Sequence, residues 1–166
     1  MAVMAFFSSD IRTIDDLFVN TLRDIYYAEK QILEALPEMI GKAGSRPLRR
    51  VLQAHLKEGR DHLKRLEQVF RLHGAKPKHV ECPAIDGLLE EAIDIDGKMP
   101  NKRVIDSALI AAAHAIENFE IARYRTLVAW AKELGRDDCA SVLQQILEDE
   151  TAIDRKLGVV SGSKSR

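Results

Sequence analysis

The sequence predicts an all-α fold, a four-helix bundle, and three observations predict it. Leu, Ala, Ile, Glu, Lys and Arg dominate while aromatic residues are only 5% of the chain, a composition that favours helix on intrinsic propensity. Apolar residues recur at steps of three and four through four long stretches. Helix breakers, among them Gly74, Gly135 and Gly158, sit at the ends of those stretches.

The first helix is expected to open at Thr13, whose hydroxyl can cap it, with Asp16 completing a capping box. Its inward stripe reads Ile14, Phe18, Thr21, Ile25, Glu29, Ile32, Leu36, Met39. Pro37 removes a backbone donor, so a kink or a stop before Gly41 and Gly44 is expected. The second helix follows Ser45 and Pro47 and stops at Gly74. Its stripe is Leu48, Val51, His55, Glu58, His62, Leu66, Val69. Two histidines and a glutamate stand where an ordinary bundle would carry leucines.

From Lys76 to Pro100 the periodicity weakens, and one short helix from about Ile85 to Ile95 is expected there. A connection of this length can cross the whole bundle, which lets the second and third long helices run parallel as ferritin-like folds require. The third long helix starts near Asn101 and carries Ile105, Leu109, Ala112, Ile116, Glu120, Tyr124, Leu127 and Ala131, with Glu117 one turn before Glu120. The fourth, capped by Asp137 or Asp138, shows Ala140, Leu143, Leu147, Glu150, Asp154 and Leu157 before Gly158. The reading is one domain of 166 residues, with a bundle core at about 13–158 and a short polar tail at 159–166.

Twenty-five basic and 26 acidic residues give a net charge of -1, so no electrostatic footprint for nucleic acid or an anionic membrane is present. The longest apolar run, Ala108 to Ala113, is too short to span a bilayer. The first basic residue, Arg12, follows rather than precedes the apolar Met4 to Phe7, unlike a secretory signal. Cys82 and Cys139 fit neither a disulfide framework nor a zinc site. A cytoplasmic protein is expected. Phosphate loops, nucleophile elbows and Cys-His pairs at catalytic spacing are missing, so hydrolase, kinase and dehydrogenase chemistry is not indicated.

The carboxylates on the stripes carry the chemistry. An ionised carboxylate in an apolar interior costs several kcal/mol unless it is paired, protonated or bound to metal. Every long helix places at least one there. Two divalent ions would neutralise them, and carboxylate with imidazole suits iron or manganese. A lone glutamate on a helical stripe is more often a boundary residue reaching water, and Glu29 and Glu120 gain weight only from a weak internal repeat. Tyr26-Tyr27-Ala28-Glu29 matches Glu117-Asn118-Phe119-Glu120, and Glu58 with His62 matches Glu150 with Asp154. His62 is the best nitrogen ligand, with Asp61 competing for its place. His55 reads as a core or supporting residue, and His73, His79 and His114 receive no role. Tyr26, Tyr27, Tyr124 and Trp130 read as packing.

The sequence resembles the YciE/YciF family of bacterial stress-associated ferritin-like proteins from Thr13 to about Leu157. The resemblance rests on Ile14-Asp15-Asp16-Leu17-Phe18, on Asp24 with Tyr26, Ala28, Glu29, Lys30 and Gln31, and on His55-Leu56-Lys57-Glu58. It continues through Cys82-Pro83-Ala84, Asp106-Ser107-Ala108-Leu109-Ile110, Glu117-Asn118-Phe119-Glu120 and Leu147-Glu148-Asp149-Glu150 with Asp154. That family is similar in fold to rubrerythrin and other di-iron carboxylate proteins. The resemblance implies a metal-ligand set of Glu29, Glu58 and His62 from the first half, and Glu117 or Glu120, then Glu150 and Asp154, from the second. It implies two divalent ions, iron with manganese as the alternative, and a link to stress through peroxide or dioxygen reaction or iron handling. A homodimer is expected rather than a cage, without nucleic acid or membrane and with an unidentified redox partner. The alternative is a structural or interaction protein that keeps the fold without turnover.

Overall fold

A computed structural model of the chain describes residues 10–78, 80–95, 99 and 101–162. Among the described residues there are five helices: α1 (Ile14–Lys42), α2 (Arg46–His73), α3 (Pro83–Ile93), α4 (Lys102–Glu133) and α5 (Asp137–Gly162). The capping box opens α1 as expected. The Asp16 amide donates to the Thr13 hydroxyl at 3.0 Å, and the Thr13 amide donates to the Asp16 carboxylate at 2.9 Å. Pro37 does not stop α1, which continues through it and past Gly41 to Lys42.

Ser45 precedes α2 without capping it through its side chain. The cap comes from another helix. The amides of Gly44 and Ser45 donate to the two carboxylate oxygens of Asp106 on α4, at 2.6 and 2.9 Å. Asp106 is buried, and the negative charge is also well placed for the α2 dipole. Replacing Asp106 with alanine strands two backbone donors, so a stability loss of about 2 kcal/mol in denaturant titration is expected.

This clamp fixes the direction of the chain. It puts the start of α4 beside the start of α2, while at the other end Arg136, just after α4, hydrogen-bonds the Leu72 carbonyl at the end of α2. So α2 and α4 run parallel, as the long crossover allows. In the bundle α1 packs on α2 and α4, α5 packs on α2 and α4, and α3 lies against α1 and α4. Tyr27 fastens α3 by donating to Asp86 at 2.8 Å.

Left-handed Gly74 ends α2, and left-handed Gly135 follows the end of α4. Gly158 does not end α5, which runs on to Gly162 with Val160 buried. Burying that valine offsets the roughly 1 kcal/mol that glycine costs inside a helix. The tail expected from 159 is thus helical to 162, and 163–166 lie outside the described residues. Among the described residues no helix is long and apolar enough to cross a membrane, and Cys82 and Cys139 are free and buried.

Candidate metal centre

Halfway along the bundle the apolar core is interrupted by six polar side chains. Glu29 comes from α1, His55 and His62 from α2, Glu117 and Glu120 from α4, and Glu150 from α5. None is more than 3% exposed. They form two groups that share one residue: His55, Glu117, Glu120 and Glu150, and Glu29, His62 and Glu150. Within each group every residue offers one ligand atom, and these atoms lie within 4.8 Å of one another.

The histidines order the site. His55 Nδ1 lies 2.8 Å from Glu117, while its Nε2 faces Glu120 at 3.6 Å and Glu150 at 3.8 Å. His62 Nδ1 lies 2.9 Å from Glu150 and 3.3 Å from Glu29, near enough for attraction but misaligned for a hydrogen bond. Its Nε2 faces Asp149 at 3.3 Å. Tyr124, one turn beyond Glu120, donates to Glu29 Oε1 at 2.5 Å. Glu29 Oε2, His55 Nε2, His62 Nδ1, Glu117 Oε2 and both oxygens of Glu120 and of Glu150 are buried without a hydrogen-bond partner.

Such a set of orphaned atoms is costly to assemble. Burial pushes the carboxyls of Glu117 and Glu150 up to about 8. Glu120 is driven well above the ordinary range, first by burial and then by Glu150, Glu29 and Glu117. Burial opposes a charged His62, but Glu150 and Glu29 outweigh it and carry the imidazole up to about 11. Burial, with Glu29 and Glu120 nearby, also holds the Tyr124 phenol well above its usual value. The donor set fits two divalent cations. Four carboxylates and two neutral imidazoles carry four negative charges, which two such ions cancel.

Two residues from the expected ligand set are not there. Glu58 is about one-third exposed and faces Lys156 at 3.8 Å. Asp154 is also partly exposed and bonds His114 at 2.6 Å, with Asn118 beside it. The buried positions are instead Gly59 on α2 and Ile153 on α5. A repeat laid one residue over explains both. The spacing that takes Glu29 to Glu120 also takes Gly59 to Glu150 and His62 to Ile153. Each half therefore lacks one polar group at the repeat position, and His55 and Glu117 make up the numbers from a turn away. Gly59 lies close to the centre: a Cβ there would meet the end of the Leu33 side chain at 2.9 Å and the Glu29 carboxylate at an ordinary 3.5 Å.

Asp61 points outward, ion-paired to Arg65 at 2.7 Å, which removes the competitor of His62. His55, expected as a supporting residue, stands among the candidate ligands instead. Its signal was its place two helical turns before His62 on one stripe. Tyr26 and Tyr27 donate to Glu67 and Asp86, whereas Tyr124 reaches the centre. His79 lies outside the described residues.

Comparison with known proteins agrees with this arrangement of helices. The pattern of DUF892, a domain of unknown function, matches residues 13–164. Protein YciF of Escherichia coli (strain K12) is 38% identical over 149 residues, covering 89% of this chain and 90% of that protein. The crystal structure of that stress protein superposes with a TM-score of 0.87 over 90% of this chain and 95% of the other. YcfI from Rhodopseudomonas palustris, described as a candidate structural protein, is 51% identical with a TM-score of 0.88, over 92% of this chain and 97% of that one. A Xanthomonas campestris protein at 20% identity and a TM-score of 0.68 shares the fold. With its family pattern matched from Thr13 onward and a close relative aligned along nearly its whole length, the chain belongs to the DUF892 family of YciF-like proteins.

Proposed function

We propose that this protein holds two divalent metal ions, iron by preference and manganese as the alternative, at the centre of its bundle. The observation that supports this reading is the cluster of buried, unpartnered donor atoms contributed by all four long helices. His55, Glu120 and Glu150, with Glu117, would hold one ion, and Glu29, His62 and Glu150 the other. Bound iron would supply a redox-active Lewis acid able to react with peroxide or dioxygen, or an exchangeable store that buffers iron under stress. The protein's own contribution is to keep Glu150 between the two groups, to orient Glu29 through Tyr124 and to surround the centre with apolar side chains that exclude water. A homodimer in the cytoplasm is the simplest setting for this role.

The test is anaerobic titration with ferrous iron followed by elemental analysis. About two ions per chain are expected, and no uptake would sink the reading.

A second reading is favoured by the resemblance to YcfI and by the upward push on Glu117, Glu120 and Glu150. Protonated acids could satisfy the core of a purely structural protein. On that reading, Glu120→Gln with Glu150→Gln in chelator is as stable as the parent or more so, and metal changes neither. A metal-dependent rise in Tm that the double variant loses counts against it.

A further inference from the structure

The face of His62 turned away from the centre has a partner that the proposed metal site does not use. Asp149 on α5 places Oδ2 3.3 Å from His62 Nε2. The same oxygen accepts from Arg65 Nη1 at 3.0 Å. Arg65 is held in turn by Asp61, one helical turn earlier on α2, at 2.7 Å. His62 is fully buried, whereas Asp149 is 38% and Arg65 29% exposed. A chain of alternating charge thus runs from the surface to the back of one imidazole. The other ring nitrogen, Nδ1, is buried without a hydrogen-bond partner, between Glu29 and Glu150.

A neutral imidazole carries one proton, and the nitrogen that keeps it cannot bind a metal. An acceptor on Nε2 therefore keeps the proton there and frees the lone pair of Nδ1. His55 is arranged the other way round. Its Nδ1 lies 2.8 Å from Glu117, and its unpartnered Nε2 faces Glu120 and Glu150. The two rings on one helix thus face the shared Glu150 with opposite nitrogens.

We propose that Asp149, pinned by Arg65, is a positioning residue that commits His62 to bind metal through Nδ1. This rests on the two-ion reading above. Asp149 touches no proposed ion and acts only through the ring. Its removal would weaken one ion, the one shared by Glu29, His62 and Glu150, and spare the one at His55. Carboxylates behind a ligating histidine are typically worth 10- to 100-fold in metal affinity.

The experiment uses zinc, a diamagnetic divalent probe, with the full chain. In the zinc-loaded parent, 15N-imidazole NMR is expected to show metal-bound Nδ1 and protonated Nε2 for His62, with the opposite assignment for His55. In Asp149→Ala, zinc titration should find one site weakened roughly 10- to 100-fold and the other within about twofold of the parent. Asp149→Asn, which can still accept from Nε2–H, should recover part of the loss, a rescue that a general packing role would not give. Circular dichroism checks that the variants fold, and the parent's NMR assignment stands whether or not they do. If His62 binds zinc through Nε2, or if Asp149→Ala weakens neither site, the proposal is overturned while the metal site stands. If the parent takes up no zinc, both are overturned.

Discussion

Glu150→Ala is expected to abolish tight uptake of both metal ions, with a loss of more than about 100-fold in affinity by isothermal titration calorimetry. Glu150 is the one residue common to both groups, and both of its oxygens are buried and unpartnered. The next buried residue along α5 is Ile153, which offers no ligand atom. Glu58→Ala and Asp154→Ala should leave affinity within about threefold of the parent, since long-range effects of exposed charges are small. Retained two-ion binding in Glu150→Ala, or a large loss in Glu58→Ala, would mean that the ligands lie on the other helical face.

The metal-free protein should lose several kcal/mol of stability between pH 5 and pH 8. Burial holds the carboxyls of Glu117 and Glu150 up at about 8 against an ordinary 4.5, and drives that of Glu120 well above 4.5 as well. Over that window the unfolded chain releases protons that the folded chain retains, so stability falls as pH rises. His62 acts in the same direction. Raised from 6.5 to about 11, it contributes stability that is full below 6.5 and is lost as pH climbs towards 11. Asp138, lowered to about 2 by its bond to Arg136, contributes stability that is full above about pH 4 and is lost only as pH falls towards 2, so it does not disturb the window. Metal must displace these same protons, so its affinity and the Tm rise it produces should both grow with pH. Thermal melts in chelator and in excess metal at the two pH values check this. A flat or rising chelator curve would show that the acids are not held protonated in the empty core.

Much of the fold was legible because its signals are local. Thr13 with Asp16, Asn101, Gly74 and Gly135 punctuate the helices as their side chains and allowed dihedrals dictate. The cap of α2 was not legible, since Asp106 reaches it from a helix far along the chain. The expected stop at Gly158 also failed, because a buried Val160 beyond it was invisible to a rule about glycine alone.

The candidate site was half legible for a geometric reason. Steps of three and four residues fall on opposite sides of a whole helical turn, so Glu58 and Gly59 fit the α2 stripe equally well, as do Ile153 and Asp154 on α5. Packing against the neighbouring helices decides between them, and it buries the glycine and the isoleucine rather than the two acids. Glu29, His62, Glu117, Glu120 and Glu150, also expected from the sequence, are buried at the centre.

The most direct test of a two-metal core is anomalous diffraction at the iron edge from a crystal grown anaerobically with ferrous iron. Two peaks flanking Glu150 are predicted, one beside His55 and Glu120 and the other beside His62 and Glu29. An empty core, or iron found only beside Glu58 and Asp154, would contradict it.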